Sequence, residues 1–321
     1  MKLPFSFGTK LIFRMIFPGL IIAAVLAPLF HTIAIWCEVR IPIAFTFPFE
    51  VVIWGWIVLL LDSHIYMLFE GRRYWPGFIW SLLQSWEASR LNKLERMLRE
   101  GRGQPNDLRQ ARRYLESGVK ISDFPIDPGE SKQIASYPTR LGNLIAAYEQ
   151  YPRLKYGLDS VFFWYRLWVS VDKDLREEID NQQALADGAL YVCFAFVVSG
   201  LIMLSYGILQ AIRPDLLLYL PGYKQDLVLS VGCFLIAAAL YRLSLPVHAQ
   251  FGELFKSFFD QWRGKLQFED IADLVREEYN PEAVAVSPRK ARERNIAVWR
   301  FLKWHMLRRP GQSENEWIKL P

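Results

Sequence analysis

Apolar residues run along this chain in four long blocks, and charged residues are nearly absent inside each. The blocks are 15–37 (MIFPGLIIAAVLAPLFHTIAIWC), 49–69 (FEVVIWGWIVLLLDSHIYMLF), 189–212 (ALYVCFAFVVSGLIMLSYGILQAI) and 226–248 (DLVLSVGCFLIAAALYRLSLPVH). A core helix of a soluble protein keeps a polar stripe on one side. A bilayer core instead asks for about 20 mainly apolar residues per helix. The pattern predicts an all-α membrane protein. Four transmembrane helices are expected, with a cytoplasmic helical subdomain between spans 2 and 3 and a cytoplasmic helical C-terminal extension. The expected divisions are a membrane hairpin over 1–69, the subdomain over 70–188, a second hairpin over 189–248 and the extension over 249–321. Pro18 and Pro28 would kink the first span, which membrane helices tolerate when neighbours re-satisfy the freed carbonyls. No small-x-small site closes that block, so it reads as a span rather than a cleaved leader.

Between the spans the period changes. Phe78, Leu82, Leu83 and Trp86, then Leu91, Leu94, Met97 and Leu98, fit one helix, ended by Gly101 and Gly103. Its aromatic half is expected against the membrane surface. Helices follow over 105–117 and 139–151, with a loop over 118–138, a turn at Pro152 and an aromatic element over 157–168. From Asp172 a helix runs into span 3 without a breaker. Another continues past span 4 to about residue 264, at helical rise. Short helices are expected over 269–279 and 289–307, the second either interfacial or docked on the cytoplasmic domain, before a loose tail.

Charge sets the orientation. Arg72 and Arg73 follow span 2, Lys173 and Arg176 precede span 3, and Lys256, Arg263 and Lys265 follow span 4, while the two short connections carry few cations. The positive-inside rule then predicts a multi-pass inner-membrane protein with both termini cytoplasmic. Within 70–188 the signs nearly cancel, so the net charge of +5 gives no nucleic-acid footprint. The partners expected are the lipid bilayer, a soluble protein at the cytoplasmic face, or further copies of the chain. Cys37, Cys193 and Cys233 lie in or at the ends of spans with no ligand spacing, so no metal, disulfide or cofactor is implied. The P-loop, GxGxxG, HExxH and GxSxG patterns are absent.

The stretch PTRLGNLIAAYEQYPRLKYGLDSVFFWYRLW (138–168) resembles a pattern of uncharacterised bacterial multi-pass membrane proteins. In that pattern PTRLGN is followed by an acidic residue, YGLD and W-x-RL. The matching residues include Arg140, Asn143, Glu149, Asp159, Trp164 and Arg166; the pattern has proline where this chain has Tyr165. The resemblance implies a class and no activity. Read from the residues alone, Arg140, Glu149, Asp159 and Arg166 are charges among aromatics. They are expected to form a partly buried network, either a structural bridge or a ligand site.

The sharpest feature is Asp62 with His64 inside span 2. Ionisable groups within a span usually pair or line a cavity. Asp62 and His64 are two positions apart and so face different sides of a helix. Counting from the span midpoints at 1.5 Å per residue, Asp62 lies about 4–5 Å, and Arg242 of span 4 about 7–8 Å, to the cytoplasmic side of centre. That match predicts an Asp62–Arg242 pair, structural or gating, with Tyr66 or Tyr241 adding a hydrogen bond. The functional expectation is a non-enzymatic scaffold, sensor or anchor. An oligomeric pore or channel-type effector of stress or phage defence is the first alternative. A lipid-acting membrane enzyme using Asp62 and His64 is the second.

Overall fold

The structure, a computed structural model, describes residues 11–37, 43–100, 137–212 and 222–266, with 295, 296, 298, 302, 306, 307, 318 and 319 near the C-terminus. The elements expected over 105–117 and 269–279, and the loop over 118–136, lie outside the described residues. The described chain is helical apart from a two-residue antiparallel pairing of Met306–Leu307 with Ile318–Lys319. That pairing replaces the last turn of the helix expected over 289–307.

A π-helical turn, Ile12–Ile16, leads into α1 (Phe17–Trp36). Then follow α2 (Ile43–Leu60), α3 (Asp62–Glu70), α4 (Gly77–Glu100), α5 (Arg140–Tyr156), α6 (Ser160–Val169), α7 (Lys173–Ile212) and α8 (Tyr223–Trp262). Among the described residues, three helices are long and apolar enough to cross a membrane: Ile12–Ala34, Lys173–Ile212 and Tyr223–Lys265. The segment expected as one continuous second span is broken. Thr46–Leu60 and Asp62–Glu70 meet at a 60° bend, so the pair is either a broken span or a re-entrant loop. Asp62 therefore lies in the first turn of a new helix, where the helix dipole favours a negative charge.

The chain forms two compact units. The first holds Met1–Leu68 and Asp180–His248; the second holds Phe69–Ile179 and Ala249–Pro321. Residues 180–188, expected with the subdomain, belong to the first unit.

The outward side chains of the first unit are large and apolar: Trp56 is 60% exposed, Val228 71% and Leu235 67%. Such surface suits a lipid environment rather than water, in keeping with a membrane-embedded protein. Inside the unit the helices approach through small residues, as membrane helices do. A Cβ on Gly19 would strike the Val51 carbonyl and come 2.7 Å from the Gly55 nitrogen. One on Gly55 would strike the Met15 carbonyl. Between α7 and α8, Ser230 donates to the Gly200 carbonyl at 2.8 Å and Cys193 to the Ala237 carbonyl at 3.2 Å.

The second unit has an aromatic core. Trp164 of α6 stacks on Phe255 of α8, with ring centroids 4.8 Å apart and planes 17° from parallel. Tyr148 of α5 meets Phe251 and Phe255, and Leu141, Leu158, Phe163 and Leu167 are fully enclosed. Helix α5 does not turn at Pro152 as expected. It continues to Tyr156 and stops where Gly157, at φ 72°, donates its N–H to the Arg153 carbonyl. A glycine in the left-handed region ends helices at little steric cost. Asn295 donates to the Tyr156 carbonyl at 2.8 Å, and Val298 is buried.

Because Gly55 meets backbone atoms that cannot swing aside, Gly55→Leu is expected to destabilise the detergent-solubilised protein by about 1–3 kcal/mol or more, the usual cost of overpacking. Gly232→Ala, with nothing within 4 Å of the new Cβ, is expected to leave the thermal midpoint unchanged or raise it.

Candidate functional site

The polar centre of the first unit is built from a spacing that α3 and α7 share. Residues 62–66 read DSHIY and 187–191 read DGALY, each an Asp followed one helical turn later by a Tyr. Residues four apart lie on one helix face, so α3 and α7 each present an Asp–Tyr column. The columns meet in opposite directions. Tyr191 donates its hydroxyl to Asp62 Oδ1 at 2.5 Å, and Tyr66 donates to Asp187 Oδ1. Each helix thus supplies one donor and one acceptor to the other. Asp62 is exposed, whereas Asp187 and Tyr191 are buried.

Two further elements close around the inner rung. Arg14, in the π-helical turn, forms an ion pair with Asp187 Oδ2. Its approach depends on Gly188, where a Cβ would come 3.0 Å from the Phe13 Cβ and 3.3 Å from its carbonyl oxygen. From α8, His248 sets Nε2 3.3 Å from the Tyr66 hydroxyl and Nδ1 2.9 Å from the Ser244 carbonyl. His248 is buried, and its ring meets Tyr66 edge-on.

This arrangement corrects the expected pairing. Asp62 and Arg242 form no ion pair among the described residues: Asp62 is engaged by Tyr191, and Arg242 is exposed on α8. Tyr66 does add a hydrogen bond, but to Asp187 and not to Asp62. Tyr241 contributes its carbonyl to the Ser244 hydroxyl at 2.8 Å. His64 lies on an exposed face, with Nδ1 3.4 Å from Ser63 Oγ. Sequence reasoning missed Arg14, Asp187, Tyr191 and His248. The D-x-x-x-Y spacing shared by α3 and α7 was the signal that could have found two of them, Asp187 and Tyr191.

The charges of the PTRLGN stretch do not form one network. Glu149 takes a 2.7 Å bond from Arg72, which also pairs with Glu70 and lies 5.3 Å over the Tyr137 ring. Asp159 caps α6 by accepting the Phe162 N–H at 2.8 Å. Arg166 lies 3.7 Å over Phe162 and donates to its carbonyl. Arg140 opens α5 and is half-buried. The motif acts as a clip. Thr139 caps α5 through the Gly142 N–H, and Gly142 abuts the Glu70 carbonyl with no room for a Cβ. Asn143, fully buried, accepts the Tyr137 N–H at 2.7 Å and donates at 3.0 Å to the Tyr137 and Thr139 carbonyls.

A surface cluster joins α5 to the end of α8. Asp260 accepts from Tyr151 at 2.8 Å, from Tyr156, and from Lys155 at 3.3 Å. Hydrogen bonds to Tyr151 and Tyr156 hold the Lys155 ammonium above its usual range. Every group in the cluster already has a partner within it, so it reads as a tie between helices. Among the described residues, no three His, Cys, Asp or Glu side chains group as metal ligands.

Compared with protein-family models, curated proteins and solved structures, the chain matches none.

The revised pairing gives a direct contrast. Tyr191→Phe removes a donor to a carboxylate and is expected to cost about 1–3 kcal/mol, the range for hydrogen bonds to charged groups. Arg242→Gln, at an exposed position, is expected to stay within about 0.5 kcal/mol of the parent. Reversible unfolding of the purified protein in mixed micelles checks both.

Proposed function

We propose that the chain is a four-span inner-membrane protein with both termini cytoplasmic, and that it works as a non-enzymatic anchor or scaffold. Its helical second unit is the docking face for a soluble protein. One observation carries this reading. Helix α6 buries Phe163 and Leu167 in the core yet turns Val161, Tyr165 and Val169 outward at 67%, 73% and 75% exposure. These three positions, one turn apart, make an apolar stripe on a helix whose inner face is already fully packed. Stripes of that kind mark interaction surfaces. The basic residues flanking the spans support the orientation, as cytoplasmic flanks do in multi-pass proteins.

A photo-crosslinking residue at position 165, used in intact cells, tests the proposal. The expected result is one discrete adduct with a soluble protein, lost when Val161 and Val169 are both changed to Lys. Adducts with lipid alone, or with a second copy alone, would overturn it.

A second reading, a channel-type effector, is favoured by the Asp–Tyr ladder between the apolar helices of the first unit. It calls for ion release from liposomes holding the purified protein. Asp62→Asn should cut that release several-fold while assembly on size exclusion is unchanged. The lipid-enzyme reading gains no support, since Asp62 is engaged by Tyr191 and, among the described residues, makes no hydrogen bond to His64.

A further inference from the structure

Hydrogen counting exposes a shortage along the line Asp187–Tyr66–His248. The Ser244 carbonyl can only accept, so its 2.9 Å contact with His248 Nδ1 requires the proton on Nδ1. Nε2 then faces the Tyr66 oxygen at 3.3 Å, and the same oxygen faces Asp187 Oδ1. Two hydrogen bonds must be made along this line. With Asp187 ionised and His248 neutral, only the single Tyr66 hydrogen is there to make them. If it points to Asp187, the Nε2 lone pair confronts an oxygen lone pair. If it points to His248, Asp187 Oδ1 loses its donor and only Oδ2 keeps one, from Arg14. One additional proton fills both positions.

Charge counting gives the same number. The groups facing the line are Arg14 from the π-helical turn, Asp62 from α3 and Tyr191 from α7, in addition to Asp187, Tyr66 and His248 themselves. Two carboxylates stand against one guanidinium, which leaves one negative charge among these groups. A bound proton neutralises it.

We propose that Asp187, Tyr66 and His248 form a proton-binding site within the membrane helices. The site takes up one proton, and the Tyr66 hydroxyl passes it between the other two groups. In one form Asp187 holds the proton, donates to the Tyr66 oxygen, and Tyr66 donates to Nε2. In the other, Tyr66 donates to the Asp187 carboxylate and receives a hydrogen bond from Nε2–H. The forms interconvert by two hydrogen shifts in the same direction, with no change in total charge. Arg14 favours the form with Asp187 ionised. The ligand is a proton alone, and the site requires neither of the functional readings above.

The test is a pH titration of the full chain in nanodiscs. It follows the Asp187 side-chain carbon and the His248 Nε2 nitrogen by NMR of selectively labelled protein. The His248→Gln and Asp187→Asn variants assign the signals. Groups that share one proton titrate together, so both nuclei are expected to respond at a single midpoint between about pH 4 and 9. Tyr66→Phe keeps the ring and removes only the hydroxyl. It is expected to split that midpoint in two, at least about one pH unit apart, a tenfold difference in proton affinity. No response from either nucleus in the parent, two separate midpoints in the parent, or a midpoint that Tyr66→Phe leaves intact would each overturn the proposal.

Discussion

The reciprocal pairing of two aspartates with two tyrosines sets the geometry of the membrane-embedded unit. Hydrocarbon offers no water to satisfy a carboxylate or a phenol, so each polar group placed among apolar helices must find a protein partner. Tyr191 with Asp62, and Tyr66 with Asp187, satisfy four groups with two contacts. Because the donor and the acceptor are exchanged between α3 and α7, the register is fixed. Sliding one helix by a turn would set Asp against Asp or Tyr against Tyr. The Arg14–Asp187 ion pair and the His248–Tyr66 contact add a third and a fourth element to the same point. Gly188 lets the Phe13 backbone, next to Arg14, pack close to α7, since a Cβ there would come 3.0 Å from the Phe13 Cβ.

The second unit applies the same rule to backbone groups. PTRLGN reads as a candidate binding motif because it mixes an Arg, an Asn and a Gly before an aromatic helix. In the fold its polar atoms point inward. Asn143 spends its amide on the backbone of Tyr137 and Thr139, and Thr139 spends its hydroxyl on the first turn of α5. Gly142 is there to let the Glu70 carbonyl come close. Asp159, which looked like a network charge, is a helix cap. Caps and clips of this kind need the residue types that binding sites use, which is why composition alone does not separate them.

Long apolar stretches were legible in the chain because lipid demands unbroken apolar surface, and that demand is written residue by residue. The break at Leu61 was not legible. Apolar composition continues on both sides of it, and a bend is set by tertiary contacts rather than by local propensity. The Asp62–Arg242 expectation failed for a related reason. Counting residues along a span fixes depth but says nothing of azimuth, and two charges at one depth can face opposite sides of a bundle. The D-x-x-x-Y repeat, by contrast, fixes azimuth within each helix. It was visible in the sequence at 62–66, 187–191 and 215–219, so the spacing alone left the complementary column to be chosen.

The position of Asp62 follows from these constraints together. An aspartate in mid-span is costly, whereas an aspartate in the first turn of a new helix gains from the helix dipole and from exposed N–H groups. The 60° bend between Thr46–Leu60 and Asp62–Glu70 converts the first situation into the second. It also re-aims the following turn, so that Asp62 and Tyr66 face α7 instead of continuing the azimuth of α2. The ionisable pair Asp62 and His64 is therefore divided in role by its spacing. Residues two apart cannot share a helix face, so Asp62 joins the Tyr191 rung while His64 remains on the exposed side beside Ser63. The histidine that does enter the polar centre is His248, one turn after Ser244 on α8. Its Nδ1 is fixed by the Ser244 carbonyl, which leaves Nε2 as the one nitrogen able to report on the state of Tyr66 and Asp187.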